Sequence, residues 1–322
     1  MSGPRTVVRK ALKPLREPLR DAANWVFGGH HEHLSTAPQT FDDRSRGRGT
    51  VLLVLAGYKP ELWDHVFPRI AAHVSPDTVD VCVVCSGHPP AAGELREAAR
   101  RYGWSFSQCA EDRLAHAQNL AIRALPKAEW ISKIDEDMFV TAGWLDHLRE
   151  THERVEREGK WRVGFVAPVI PINGYGWRLL MELTGTLDEY RAAFPEFPPI
   201  SAAMDVGAHQ SAGVAEWLWR HSTPLDEMAA TLARRAGESS ICPHRFSIGA
   251  FLMKRETWAL HGGFKIAGDG ELGWEESQLC TWCMDQSRAI VVDHSALVGH
   301  FAFYPQWEHM LALLKRDPAL FR

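Results

Sequence analysis

One short stretch, from Trp130 to Val140, constrains the fold of this chain more than any other. A mainly apolar run ends in Asp135-Glu136-Asp137 and then turns apolar again. This pattern predicts a buried strand with acids at its carboxyl end, the end where open α/β sheets bind their ligands. In an extended segment Asp135 and Asp137 point to the same side and Glu136 points away. Two carboxylates directed at one spot favour Mg²⁺ or Mn²⁺ together with substrate phosphates, and the alternative is a solvated acidic turn.

The segments around this stretch alternate between strand and helix patterns. Continuous apolar runs predict strands over 51–56, 79–85, 104–108, 130–134 and 161–167. Between them, apolar residues at helical spacing predict helices over 62–74, 91–102, 112–125 and 141–158, the last capped by Thr141. The repeated β-α-β order predicts an α/β fold, in which a mostly parallel sheet carries helices on both faces.

Residues 168–244 interrupt this alternation. Prolines punctuate the segment, and two helices are predicted near 175–193 and 213–236, as an insertion over the ligand edge of the sheet. The sheet pattern resumes at 246–253, followed by a helix from Glu275, a strand over 289–292 and a last helix. The predicted units are an N-terminal segment with linker over 1–48, a first half over 49–167, the insertion over 168–244 and a second half over 245–322.

The N-terminal segment has a composition of its own. Residues 1–28 interleave basic and apolar side chains, which is typical of a helix on an anionic membrane surface, although packing on the domain is equally compatible. The chain has no apolar run long enough to span a bilayer and no signal-peptide pattern, so we expect a cytoplasmic protein, peripheral on the inner membrane face. A net charge of -4 argues against a nucleic-acid partner. The six cysteines are expected to be small buried residues.

Four motifs in order resemble the family 2 glycosyltransferases of the GT-A fold, over residues 51 to about 304. The first strand runs into Tyr58-Lys59-Pro60, and the segment 113–121 resembles the helix that precedes the metal strand of the family. Asp135-Glu136-Asp137 resembles its D-x-D motif. Gly262-Gly263-Phe264, followed by Trp274-Glu275-Glu276-Ser277-Gln278-Leu279, resembles its last two blocks, with Glu276 at the position of the catalytic Asp.

The resemblance implies a set of site residues. The metal ligands would be Asp135, Asp137 and His300, with His294 as the competing histidine. Glu276 would be the catalytic base, with Glu275 as the alternate. The nucleotide-sugar donor would contact Ala56, Tyr58, Ser86, Arg113, Asn119 and Asp135. The acceptor would contact Trp274 and Gly263, and the insertion over 168–244 would form the acceptor side.

The implied activity is transfer of a sugar, with inversion, from a nucleoside-diphosphate sugar to a hydroxyl of a glycan or lipid-linked acceptor, in cell-surface polysaccharide synthesis. Mn²⁺ or Mg²⁺ would stabilise the leaving diphosphate, and a carboxylate would take the hydroxyl proton. Two other classes stay open. A glycoside hydrolase also needs two carboxylates at a sugar, and a non-catalytic sugar-binding or scaffold protein would keep the fold without the chemistry.

Overall fold

The computed structural model describes residues 34–267 and 273–321. Its ten strands are β1 Thr40–Asp42, β2 Thr50–Leu55, β3 Val79–Ser86, β4 Ser105–Cys109, β5 Trp130–Asp135, β6 Met138–Val140, β7 Arg162–Val169, β8 Ser239–Ile241, β9 Ala250–Lys254 and β10 Arg288–His300. Its α-helices are α1 Trp63–His73, α2 Ala92–Arg101, α3 Leu114–Ala124, α4 Trp144–Glu158, α5 Gly176–Thr184, α6 Leu187–Ala193, α7 Gly207–Gln210, α8 Ala212–Ser222, α9 Leu225–Ala233, α10 Arg255–His261, α11 Trp274–Asp285 and α12 Trp307–Arg316.

The strands form one sheet in the order β1-β4-β3-β2-β5-β9-β7-β10-β6, with β8 paired to β10. Strands β4, β3, β2 and β5 are mutually parallel, and β7 and β10 pair in parallel on the far side of the antiparallel β9. Every residue of β2 and of β3 is buried. Since successive side chains of a strand point to opposite faces, both faces of the sheet are covered. The predicted α/β class and mostly parallel sheet are confirmed.

Three elements differ from the prediction. The expected helix 175–193 is two helices, because Gly185 adopts a left-handed conformation (φ 74°) after α5. The expected helix 213–236 is also two helices, because Pro224 has no amide proton to continue the hydrogen-bond ladder, and α9 begins after it at Leu225. Thr141 does not cap α4. Its hydroxyl donates to the carbonyl of Leu297 (2.7 Å), and the helix begins only at Trp144.

Residues 34–49, predicted as a linker, pack on the sheet. Strand β1 pairs with β4, and the Asp80 carboxylate accepts hydrogen bonds from the amides of Arg46 (2.8 Å) and Arg48 (2.7 Å). A polar composition concealed this because the segment makes these bonds with its own main-chain groups, which leave no pattern in its side chains. The predicted amphipathic segment 1–28 lies outside the described residues. Within 34–267 and 273–321, no helix combines the length and the apolarity that crossing a bilayer requires.

Candidate active site

A cavity of about 720 Å³ opens at the carboxyl ends of β2, β3 and β5. This is the edge at which open α/β sheets bind ligands. The insertion contributes to its wall through His209 and Gln210, and the end of β10 contributes through His300. Nine of the residues predicted from the sequence line it together: Ala56, Tyr58, Ser86, Arg113, Asp135, Asp137, Glu275, Glu276 and His300. The structure therefore brings the acids of β5 and those of α11 to one space.

The three acids after β5 have different partners. Asp135 forms an ion pair with the buried Lys133 (2.7 Å), whose ammonium also donates to the carbonyl of Ile248 (2.9 Å). Glu136 is buried and accepts hydrogen bonds from the amides of Gly57 and Tyr58 and from the indole of Trp63, at 2.7–2.9 Å. Glu136 thus fixes the loop after β2, while Asp135 stays 35% exposed at the cavity.

Asp137 is almost fully buried and lies between two cationic or ionisable groups. Its Oδ2 is bonded by the Lys59 ammonium and lies 3.4 Å from Nε2 of His300. Burial would raise the pKa of Asp137, but Lys59 and His300 outweigh it and hold the pKa below its usual range. The Lys59 ammonium also faces the rings of Tyr304 and Trp307, 5.8 and 5.2 Å from their centroids. Sequence patterns missed this role for Lys59, which lies 78 residues before its partner.

Part of this arrangement fits a divalent metal. Among the residues that the structure describes, Oδ1 of Asp137 is buried without a hydrogen-bond partner. Nδ1 of His300 lies 2.8 Å from the carbonyl of Ile172 and donates to it, so Nε2 faces Asp137 and would be the ligand atom if a metal replaced its proton. Both groups are ordinary metal ligands. His294, the competing histidine, instead bonds the hydroxyl of Ser240 (2.9 Å) and does not line the cavity.

The ligand atoms of the three residues expected to bind metal, Asp135, Asp137 and His300, do not all lie within 4.8 Å of one another. In the described part of the chain, the one set of three His, Cys, Asp or Glu ligand atoms within 4.8 Å of one another is Cys109, Glu111 and His116. At Asp137 the Lys59 ammonium takes a place beside the carboxylate, and Asp135 pairs with Lys133. The assignment of Asp135, Asp137 and His300 as metal ligands therefore stays a prediction.

A second cluster of polar side chains lies at the β3 end of the cavity. The Tyr58 hydroxyl donates to the carboxylate of Asp112 (2.7 Å), and the Ser86 hydroxyl donates to the same oxygen (3.1 Å). Burial and the bond to Asp112 raise the pKa of Tyr58 to about 12, so it stays a phenol at neutral pH. Asp112 was not predicted. Its position after β4 and just before the predicted Arg113 was the available signal.

The acids of α11 are both buried in its first turn, where the helix dipole favours negative charge. Glu276 has both oxygens engaged, since Arg245 donates to Oε1 (2.6 Å) and the amide of Ile248 donates to Oε2 (3.0 Å). Burial raises the pKa of Glu275, an effect that the nearby Lys133 partly offsets. A raised proton affinity of this kind is what a base near neutral pH requires, and Glu275 has it.

Three predicted contact residues do not line the cavity: Asn119, Trp274 and Gly263. The carboxamide of Asn119 donates to the carbonyl of Phe264 (2.8 Å) and accepts from its amide (2.8 Å) and from the indole of Trp258 (3.1 Å). Gly263 has a left-handed φ of 79°, and a Cβ there would lie 3.0 Å from Oδ1 of Asn119. Asn119 and Gly263 therefore build the Gly-Gly-Phe turn, and their expected roles in donor and acceptor binding stay a prediction.

No protein-family model matches the chain, and no curated protein matches it. Several solved structures are similar to this chain. A mannosyltransferase, PcManGT, from Pyrobaculum calidifontis in complex with GDP-Man and Mn²⁺ is 17% identical over 90% of this chain and 67% of its own, with a TM-score of 0.48. GalNAc-T7 with UDP, GalNAc and Mn²⁺ is 10% identical over 80% and 44%, with a TM-score of 0.46. TarS from S. aureus is 14% identical over 38% and 21%, with a TM-score of 0.30. The match thus spans less than half the length of GalNAc-T7 and of TarS.

Proposed function

We propose that this chain is a metal-dependent glycosyltransferase that moves a sugar, with inversion, from a nucleoside-diphosphate sugar to a hydroxyl group. The observation that carries the proposal is the single cavity that joins the acids of β5 to those of α11. Such a transfer needs a cation at the leaving diphosphate and a carboxylate at the attacking hydroxyl, and the two acidic groups face one space from different elements.

The nucleotide would bind at the β3 end of the cavity. The linked polar groups of Tyr58, Ser86 and Asp112 offer hydrogen bonds to a base or a ribose. Arg113 lines the same wall and supplies positive charge for the donor. The diphosphate would then extend towards Lys59, whose ammonium already occupies the acidic end of the cavity.

The metal would be held by Asp137 and His300, with Asp135 close by, because these residues offer a buried carboxylate oxygen and a correctly oriented imidazole. Mn²⁺ or Mg²⁺ bound there supplies a Lewis acid that neutralises the leaving diphosphate. Lys59 would add a second positive charge next to the metal through its ion pair with Asp137. Lys133 would hold Asp135 in place through its own ion pair. The carboxylates of the site would otherwise repel the diphosphate.

Glu275 would act as the base. Its carboxylate takes the proton of the acceptor hydroxyl as that oxygen forms the bond to the anomeric carbon and the bond from this carbon to the diphosphate oxygen breaks. Attack from the face opposite the leaving group inverts the anomeric configuration. Glu276, held by Arg245 and the Ile248 amide, would orient the first turn of α11. The family resemblance implies Glu276 as the base and Glu275 as the alternate, and this proposal exchanges the two roles.

The acceptor would be a glycan or a lipid-linked sugar of cell-surface polysaccharide synthesis. The cavity continues to Met204 and Gln210 of the insertion, which supports an acceptor site between the insertion and α11. A lipid-linked acceptor would suit a chain whose residues 1–28 bind an anionic inner membrane face. That segment is basic and amphipathic in sequence.

The experiment is a donor screen. The purified chain is incubated with UDP-, GDP-, dTDP- and CMP-linked sugars plus Mn²⁺ or Mg²⁺, and nucleotide release is measured with and without sugar acceptors. We expect release from one donor class, loss of this release with chelator, and loss in Asp137→Asn. Sugar release from a glycan without any nucleotide donor would instead favour a glycoside hydrolase. A product that retains the donor's anomeric configuration would exclude the mechanism.

One observation favours a second candidate, a non-catalytic protein that binds nucleotide sugars. Two of the key acids, Asp137 and Glu276, are already paired with the chain's own cations, Lys59 and Arg245. A binding protein needs no free carboxylates. Calorimetry and the donor screen distinguish the two candidates. Tight binding of a nucleotide sugar without metal, together with no turnover of any donor in the screen, would favour the binding protein.

A further inference from the structure

A second cluster of ligand-type side chains lies outside the cavity, where β4 passes into α3. Cys109 is the last residue of β4, Glu111 lies in the turn, and His116 lies in the first turn of α3. None of the three lines the cavity. Helical side chains lean towards the N-terminus of their helix, so His116 points back to the strand end. Their ligand atoms lie within 4.8 Å of one another, and Cys109 and His116 are buried.

We propose that Cys109, Glu111 and His116 form a zinc site at the carboxyl end of β4, separate from the active-site cavity. The ligand chemistry selects the metal. Thiolate, imidazole and carboxylate together are the ligands of Zn²⁺, whereas Mg²⁺ and Ca²⁺ avoid sulfur. The site would therefore discriminate against the hard ion expected at Asp137.

The distances suit this metal. Sγ of Cys109 lies 2.9 Å from Oε2 of Glu111, which in turn lies 3.9 Å from Nε2 of His116. Zn–ligand bonds of about 2.0–2.3 Å in a tetrahedron put neighbouring ligand atoms about 3.3–3.8 Å apart. The observed separations lie on either side of that range, so small side-chain shifts bring the three atoms to a common centre. Binding would release the thiol proton and form the bond between sulfur and zinc.

Ser35 lies over the open side of the cluster. Its amide and its hydroxyl donate to the two oxygens of Glu111 (2.8 and 2.9 Å), and the hydroxyl lies 3.3 Å from Nε2 of His116. A hydroxyl or a water can complete four-coordination of zinc. The metal would thereby fasten the segment that precedes β1 to the sheet and stiffen the turn that carries Asp112 and Arg113 into the cavity.

The hydrogen bonds of the cluster do not account for all of its polar atoms. Within the described ranges, Nδ1 of His116 is buried and has no partner. Buried polar groups are nearly always satisfied, so this imidazole is buried at a cost that its contacts at Nε2 must offset. A metal bound through Nε2 would supply the free energy that offsets the cost of this unpaired nitrogen.

The test uses the full chain, stripped with chelator, reconstituted with Zn²⁺ or Co²⁺ and freed of excess metal. We expect retained zinc by mass spectrometry and, with Co²⁺, a thiolate-to-cobalt charge-transfer band in the near ultraviolet. Cys109→Ala should lose the band, and Glu111→Gln and His116→Ala should weaken metal retention at least tenfold. Cys82→Ala, a buried cysteine of the adjacent β3, is the matched control and should keep both signals.

Three histidines precede Ser35 in the sequence, at positions 30, 31 and 33, and could bind metal by themselves. The triple variant H30A/H31A/H33A should retain the charge-transfer band, because imidazoles do not produce it. Metal loss in this variant, combined with an intact band in Cys109→Ala, would overturn the proposal. A folded wild-type chain that shows no thiolate–cobalt band would also overturn it, even if Cys109→Ala failed to fold.

Discussion

The Lys59 ammonium bonds the buried carboxylate of Asp137, and this ion pair occupies the acidic end of the cavity. The exposed fraction of the Asp137 side chain is 1%, and that of Lys59 is 22%. A buried carboxylate needs a cation beside it, since the cost of removing it from water is several kcal/mol. The ammonium therefore stands in for the charge that a metal would bring, and the two cations must share or compete for Asp137.

Replacing Lys59 should expose this competition. In Lys59→Met the apolar stem remains between Tyr304 and Trp307, but Asp137 keeps only His300. Without divalent metal we expect a loss of about 3–5 kcal/mol in the free energy of unfolding, the range for breaking a buried pair. Mn²⁺ should restore much of it and should bind more tightly than to wild type. Urea unfolding with and without Mn²⁺ measures both.

The matched control for this prediction is Arg191→Met, which breaks an exposed i,i+3 ion pair with Asp188. It should cost less than about 1 kcal/mol and should not respond to Mn²⁺. If Lys59→Met unfolds like wild type in chelator, the pair does not stabilise the fold. If Mn²⁺ leaves its stability unchanged, the metal is not held at Asp137.

Asn119 should affect stability and not nucleotide binding. Asn119→Asp keeps an acceptor for the amide of Phe264 but turns a carboxylate oxygen towards the carbonyl of Phe264, in place of the donating NH₂ group. Leaving two acceptors face to face in a buried site should cost about 1–3 kcal/mol. Urea unfolding measures this loss, and calorimetry on the folded protein should give wild-type nucleotide affinity. Weakened nucleotide binding at unchanged stability would restore the donor-binding role.

The partners of the site residues show what the sequence could and could not predict. The strands and the acids at their ends were predictable, because a buried parallel strand needs a continuous apolar run and its carboxyl end must face the ligand edge. The partners of those acids were not. Lys59 lies 78 residues from Asp137, and Arg245 lies 31 residues from Glu276. Such long-range pairs leave no local pattern, although they decide which carboxylates are held by the chain's own cations.

Local breaks within long helical patterns were equally hidden. The pattern over 175–193 has helical spacing throughout, and only the left-handed conformation of Gly185 separates α5 from α6. In β10 the prediction covered 289–292, whereas the strand continues to His300 through irregular register with β7. Periodicity predicts the type of an element, while tertiary pairing sets where it ends.

The N-terminal segment should bind anionic vesicles. Residues 1–28 lie outside the described residues, so the prediction rests on the sequence, which places these basic side chains among apolar ones: Arg5, Arg9, Lys10, Lys13, Arg16 and Arg20. Each basic residue near an anionic surface contributes about 1 kcal/mol, and salt screens the attraction. Co-sedimentation should show binding to phosphatidylserine vesicles that falls with salt and is lost on deletion of 1–28. Equal partitioning of both forms, or equal binding to neutral vesicles, would contradict it.

The last prediction assigns the base. In Glu275→Gln the side chain keeps its size but cannot take a proton, so kcat should fall by about 10²–10⁴-fold while donor affinity stays near wild type. Burial raises the pKa of Glu275, and the base must be deprotonated. The wild-type rate should therefore fall, as pH is lowered, at a higher pH than an ordinary Glu would give. A pH profile of kcat measures this fall in rate on the acidic side.

A second readout follows from the same raised pKa of Glu275 and needs no substrate. A carboxyl whose folded pKa lies above its unfolded value stabilises the fold only while it is protonated, so its ionisation costs stability as pH rises from the unfolded pKa through the folded one. Glu275→Gln removes this cost and should be more stable than wild type above that window. Glu276→Gln should instead lose stability, because a neutral amide has no charge to pair with Arg245 and must present its NH₂ group to one of two donors, the Arg245 guanidinium or the Ile248 amide. A large kcat loss in Glu276→Gln alone, with donor affinity unchanged, would return the base to Glu276.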